Sequence, residues 1–258
     1  MELERRFYNP HAKTRFTDNR LPHRQQDGIT YFVTFRLADS LPQNLLDQWR
    51  SERAMWLKFH PEPWSVKVEA EYHRQFSATL EAWLDDGHGS CLLRAATMPK
   101  CVESVLRRFD GARYQHHAWV IMPNHVHLLV SLAAGEDLGE LLKAWKGASS
   151  RAMKKLCPAA IGQEGVPEGR RSCRPGHADM PRSGRQECRP SEIALAAAAD
   201  GTIWMKDYFD RMIRDAAHFW RCARYIRRNP AKAKLRLGEF TLFESDHVRN
   251  VLDGKACG

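Results

Sequence analysis

The chain has 258 residues, 43% of them apolar, which is enough to bury a substantial core. Forty Lys and Arg against 31 Asp and Glu leave a formal charge of +9, which favours a polyanionic partner but speaks only to non-specific attraction, not to fold or chemistry. The opening stretch MELERRFYNPHAKTRF lacks an apolar segment of signal-peptide length, and no run of about 18 apolar residues follows, so no membrane segment is expected and a cytoplasmic chain is.

Seven cysteines (Cys91, Cys101, Cys157, Cys173, Cys188, Cys222, Cys257) make an odd number without a CxxC pair, which argues for reduced thiols rather than a disulfide framework or a thiolate zinc site.

In chain order, ITYFVTFRL (Ile29 to Leu37) is β-branched and aromatic and reads as a first strand. Helical spacing follows from Pro42 to Lys58 and from Val66 to Leu84, before Gly87 and Gly89 break the pattern. MPKCVESVLRRFDG reads as a helix ended by Gly111. Two apolar runs within YQHHAWVIMPNHVHLLVSL are split by Met122-Pro123-Asn124, which predicts a hairpin with His125 and His127 on its second strand. An amphipathic helix is predicted over Leu138 to Leu156.

From Cys157 to Asp200 the chain turns to Gly, Pro, Arg and Ser, a composition that cannot offset its ordering entropy, so we expect a disordered insertion. Cys173, His177 and Cys188 lie there with irregular spacing and no fourth ligand, too little for a zinc site. Order resumes at IWMKDYFDRMIRD, and a helix is predicted from Asp215, its N-cap, to Arg228, with Pro230 as its stop. Beyond Leu237, FTLFES is a short strand or loop ahead of a final short helix. These boundaries give one domain from 1–156 and 201–240, an insertion over 157–200 and a tail over 241–258.

Two clusters carry chemistry. Residues two apart in a strand share a face, so His125 and His127 present paired imidazoles suited to a metal ion. The bland alternative is two histidines satisfied by ordinary hydrogen bonds, but in WVIMPNHVHLLV two extra polar groups are costly without a partner. On the helix DAAHFWRCARYIRRNP, Tyr225 and Asn229 are four apart and share a face, while Phe219, Ala223 and Ile226 form its core stripe. Asn229 precedes Pro230, which biases it away from helical geometry. Taken alone, Tyr225 is also an ordinary amphipathic residue at the edge of a core. Charge concentrates here as well: from Gly201 to Leu237 ten Lys or Arg stand against three Asp.

HHAWVIMPNHVHLLV, LLKAWKGASSRAMKKL, IWMKDYFDRMIRD and ARYIRRNPAKAKL, in this order, resemble the REP-associated tyrosine transposases, within the single-tyrosine His-hydrophobic-His (HUH) transposases of insertion sequences. The resemblance implies an α+β ferredoxin-like sandwich, an antiparallel sheet with helices packed on one face. It implies His125 and His127 as metal ligands, Asn229 as the third, and Tyr225 as the nucleophile, with Tyr208 as the rival tyrosine. It further implies a divalent ion, Mg²⁺ or Mn²⁺, and a single-stranded, hairpin-forming DNA that is nicked and transferred through a 5′-phosphotyrosine, in a nucleoid-associated monomer or homodimer. Candidate DNA contacts are Lys146, Trp204, Arg214, Arg221, Arg224 and Arg228, since bases stack on aromatics and phosphates pair with cations. The long insertion departs from compact relatives. Alternatives left open are a rolling-circle nickase and a decayed copy that binds structured nucleic acid without cutting it. A histidine-triad hydrolase is disfavoured because Leu129 stands where its third histidine belongs.

Overall fold

The computed structural model describes residues 7–18, 22–61, 64–156 and 201–255. The expected insertion, with Cys173, His177 and Cys188, lies outside them. No helix among the described residues is long and apolar enough to cross a membrane.

A small antiparallel ribbon of β1 (Arg15–Asp18) and β2 (Pro22–Gln25) precedes β3 (Thr30–Arg36). A helical stretch follows: α1 (Gln43–Phe59), α2 (Val66–Tyr72), a π-helical turn over His73–Ser77 and α3 (Ala78–Asp85). After a short 3₁₀ turn come α4 (Met98–Arg107), β4 (Tyr114–Ile121) and β5 (His125–Leu132). Then α5 (Leu138–Leu156), β6 (Phe209–Met212), α6 (Ala216–Lys232), β7 (Thr241–Glu244) and α7 (Asp246–Leu252) complete the chain.

The central sheet runs β6-β3-β5-β4-β7, and every pairing in it is antiparallel. From β3 to β6 the chain is strand, helices, hairpin, helix, strand in the spatial order β6-β3-β5-β4, which is the ferredoxin-like arrangement. The hairpin turns where Pro123 and Asn124 place it, with Met122 N–H donating to the His125 carbonyl at 2.8 Å. Residues assigned to the tail supply β7, an edge strand of the same sheet on β4.

Strand alternation divides the sheet into two faces. Tyr31, Val33, Phe35, Trp119, Ile121, Val126, Leu128 and Val130 join α4 and α5 in the larger core. Phe32, Ala118, Val120 and Leu129 turn to the opposite face and bury against Phe219, Ala223 and Ile226 of α6. Helices therefore cover both faces, not one: the ferredoxin-like unit places α4 and α5 on the first, and α6, which follows the unit, closes the second. A third apolar cluster, with Leu46, Trp49, Trp56, Phe76, Leu80 and Leu84, belongs to α1 to α3 and meets the sheet at Phe209 on β6.

Helix α6 also departs from expectation at its end. Asp215 caps it as predicted, accepting from His218 N–H at 2.6 Å, yet the helix runs through Pro230 to Lys232. Proline removes its own N–H bond. Both Asn229 and Pro230 are buried, and carbonyls beyond the break are still used, Asn229 O by Ala233 N–H and Pro230 O by Leu235 N–H, each at 2.9 Å. Packing holds the last turn in spite of the missing donor, and Asn229 stays helical.

Candidate active site

His125 and His127 lie on the α6 face of β5, where the same alternation that buries Val126 and Leu128 on the other side puts them. Neither is exposed at all, and their Nε2 atoms stand 3.0 Å apart. Asn124 Nδ2 donates to the carbonyls of Leu84 and His88, so its Oδ1 faces His125 Nδ1 at 2.7 Å and must accept. The His125 proton is thereby fixed on Nδ1, leaving a lone pair on Nε2. Thr34 Oγ1 lies 2.7 Å from Nδ1 of His127 and can hold that ring in the same way. Burial, then the Lys232 ammonium, lowers His125 to about 3. Burial, then His125, Arg211 and Lys232, places His127 well below the ordinary imidazole value. Both rings are thus neutral with their Nε2 atoms facing one another, and with both protons on Nδ1 the pair can hold a cation between them, which is the condition of a metal-ligand pair.

Helix α6 brings the second cluster onto these rings. The Tyr225 ring stands edge-on to His127 with centroids 5.3 Å apart, and likewise to Phe32 at 5.8 Å. One turn on, Asn229 Nδ2 lies 3.5 Å from His127 Nε2. Asn229 is buried and its Oδ1 has no hydrogen-bond partner among the described residues, while the buried Tyr225 hydroxyl faces the Glu81 carboxylate. No three His, Cys, Asp or Glu side chains converge as a metal site among the described residues. The amide of Asn229, whose Oδ1 has no partner among the described residues, stands beside His127 as a candidate neutral ligand. Burial raises the Tyr225 pKa above the usual phenol value, and the Glu81 and Asp85 carboxylates push the same way, so this phenol ionises only beside a strong cation.

Tyr208 sits elsewhere. Its ring stacks on His23 with centroids 4.0 Å apart, and His23 is held by Asp210 through Nδ1 at 2.5 Å and by Asp207 through Nε2 at 3.0 Å. The geometry joins Tyr225, not Tyr208, to the histidine pair.

Of the candidate DNA contacts, two have structural roles instead. Lys146 is buried, and its ammonium donates to the carbonyls of Met205, Lys206 and Asp207 at 3.0, 3.1 and 3.0 Å. Trp204 is buried edge-on to Phe35 and donates from Nε1 to Ser149 Oγ at 2.9 Å. Arg214, Arg221, Arg224 and Arg228 are exposed at or along α6. Sequence reasoning passed over Thr34 and Asn124, which orient the imidazoles, and over Arg211 and Lys232, which flank the tyrosine. Asn124 adjoins His125 in PNHVH, and Lys232 continues the Tyr225 and Asn229 face, so both had a signal; Thr34 had none short of strand register.

Residues 94–164 match the family model described as Transposase IS200 like. The histidine hairpin lies inside the matched segment, which also takes in α4 and α5. No curated protein matches the chain. Among solved structures it resembles the REP-associated tyrosine transposase bound to a REP hairpin, with 15% identity and a TM-score of 0.36 over 80% of this chain and 69% of that one.

Proposed function

We propose that the chain is a transposase that nicks single-stranded DNA and rejoins it elsewhere, with Tyr225 as nucleophile. The observation that carries this reading is the convergence of His125, His127, Asn229 and Tyr225 in one buried place, two imidazoles with facing Nε2 atoms beside a buried amide and a buried phenol.

A phosphodiester resists attack because its anionic oxygens repel a nucleophile. A divalent ion such as Mg²⁺ or Mn²⁺, held by His125 Nε2, His127 Nε2 and Asn229 Oδ1, would neutralise that charge and orient the scissile phosphate. Thr34 and Asn124 keep the imidazoles turned toward it. The Tyr225 Oη attacks phosphorus and loses its proton, the P–O3′ bond breaks, and the released 3′ oxygen takes up a proton to become a hydroxyl. The phosphotyrosine conserves the bond energy, so a second 3′-hydroxyl can reverse the step on another strand without ATP. Arg214, Arg221, Arg224 and Arg228 present an exposed basic surface suited to the flanking backbone, and repeat-derived hairpin DNA is the substrate class that the sequence resemblance implies.

The test is a labelled oligonucleotide carrying a host repeat hairpin, incubated with the protein and Mn²⁺. We expect a covalent protein–DNA adduct that is lost in Tyr225→Phe and retained in Tyr208→Phe. The opposite pattern overturns the nucleophile assignment, and no adduct from the parent chain leaves a binding protein in place of an enzyme.

A further inference from the structure

If Tyr225 and the histidines meet a DNA phosphate, something in the chain must yield, because neither imidazole is exposed and the phenol oxygen is buried. Helix α3 stands over them. Glu81 and Asp85, four apart and so on one face of α3, each hold a cation from the catalytic side. Glu81 Oε1 pairs with Arg211 at 2.6 Å, and Asp85 Oδ2 with Lys232 Nζ at 2.8 Å. The Arg211 guanidinium lies 5.2 Å from the Phe32 ring, and Lys232 Nζ lies 5.8 Å from the Tyr225 ring. Two cations on different elements, β6 and α6, thus bracket the nucleophile, and both are answered by carboxylates from a single helix.

A carboxylate offers a cation what a phosphate does, a pair of anionic oxygens in a geometry that arginine grips well. We propose that Arg211 and Lys232 form a subsite for the DNA phosphates next to the scissile bond, and that Glu81 and Asp85 occupy it in the DNA-free chain as built-in competitors, so that α3 withdraws as single-stranded DNA enters. The proposal rests on the Tyr225 reading.

Three features make α3 the part that moves. Its apolar residues Leu80 and Leu84 pack in the separate cluster with α1 and α2, so the three helices can shift as a body. A cavity of about 90 Å³, lined by Thr34, Leu80, Glu81, Phe209 and Arg211 among others, already separates α3 from the sheet. Polar contacts tie α3 to the site: the two ion pairs, the hydrogen bonds of Glu81 with Tyr225 and of Asp85 with Asn229, and the bonds from Asn124 Nδ2 to the carbonyls of Leu84 and His88. Phosphates can exchange for the first of these ties one for one.

The binding test uses the full chain carrying Tyr225→Phe, without added metal, and a fluorescein-labelled single-stranded oligonucleotide read by anisotropy. Removing the competitors with Glu81→Gln/Asp85→Asn is expected to tighten binding about tenfold, and Arg211→Gln/Lys232→Gln to weaken it by about the same factor, each effect shrinking as salt rises. Unchanged or weaker binding by the acid-to-amide variant at an unchanged melting temperature overturns the proposal. Should that variant not fold, hydrogen exchange on the parent chain decides: DNA must speed exchange of the amides at 78–85, and equal or slower exchange overturns it. A normal Tyr225-dependent adduct with unchanged binding removes the subsite and leaves the nucleophile; tighter binding without any adduct from the parent chain does the reverse.

Discussion

Asn124 serves both the hairpin and the helical layer with one amide. Its Nδ2 is engaged by the Leu84 and His88 carbonyls, which dictates that Oδ1 faces His125 and that the His125 proton sits on Nδ1, away from His127. Partners one bond removed from a metal fix the tautomer and the direction of a ligand, and losing them typically costs about 10 to 100-fold in metal affinity. Asn124→Ala is therefore expected to weaken Mn²⁺ binding by roughly that factor in a calorimetric titration, while Asn124→Asp, which keeps the acceptor, retains more of it. Equal affinity in Asn124→Ala and the parent would show that His125 needs no orienting group. At this scale much of the candidate site's geometry was legible: HVH in an apolar strand exposes its alternation directly, and Tyr225 with Asn229 has plain helical spacing. Lys146 and Trp204 were misread for a physical reason. A lysine and a tryptophan look the same in sequence whether they face solvent or not, and here three carbonyls satisfy the ammonium and Ser149 satisfies the indole.

Elements were legible where their pattern is local. The β4–β5 hairpin and α5 fall where periodicity and Pro-Asn punctuation place them, since both signals are contained within the segment. Strand β6 was not legible, because FDRM alternates with charges that only distant partners explain: Asp210 is answered by His23 and Arg211 by Glu81. The same limit explains the end of α6, where burial of Asn229 and Pro230 overrides a local stop. The turn after α3 offers a controlled stability test. Gly87 and Gly89 both have positive φ, at +74° and +84°, but a Cβ on Gly87 would meet nothing nearer than Cys91 Sγ at 4.0 Å, while one on Gly89 would lie 2.3 Å from the Asp39 carbonyl oxygen. Gly87→Ala should cost about 1 kcal/mol for its left-handed backbone. Gly89→Ala adds a backbone collision and should cost about 3 kcal/mol or more, seen as a several-degree fall in Tm. Equal losses from the two substitutions would place the strain elsewhere.

For the whole molecule, the dependence of stability on pH follows from how histidines are buried. His23 is the exception among them: burial lowers its pKa, but the hydrogen bonds and charges of Asp207 and Asp210 more than reverse this and raise it to about 9. A histidine raised in the folded state contributes stability that is fully present below its unfolded value, near 6.5, and is lost as pH climbs through the folded one. Stability should therefore decline from about pH 6.5 to about pH 9 by an amount of order 2 kcal/mol, since a tenfold change in proton affinity is worth about 1.4 kcal/mol and the coupled carboxylates share the effect. On the acid side the sign is opposite. Burial lowers His73 and His218 to about 4 and His125 to about 3, and holds His127 well down, so the unfolded chain takes up protons that the folded chain refuses once pH falls below about 6.5. The metal-free protein is expected to be most stable near pH 6.5, with the steeper loss on the acid limb because four imidazoles act there against one. Urea unfolding across this range checks the shape. His23→Asn should lower the curve below about pH 9, by leaving Asp207 and Asp210 without their cation, and should flatten the limb between pH 6.5 and 9; an alkaline limb of unchanged slope in that variant would mean that another group, not His23, carries the charge that stability depends on.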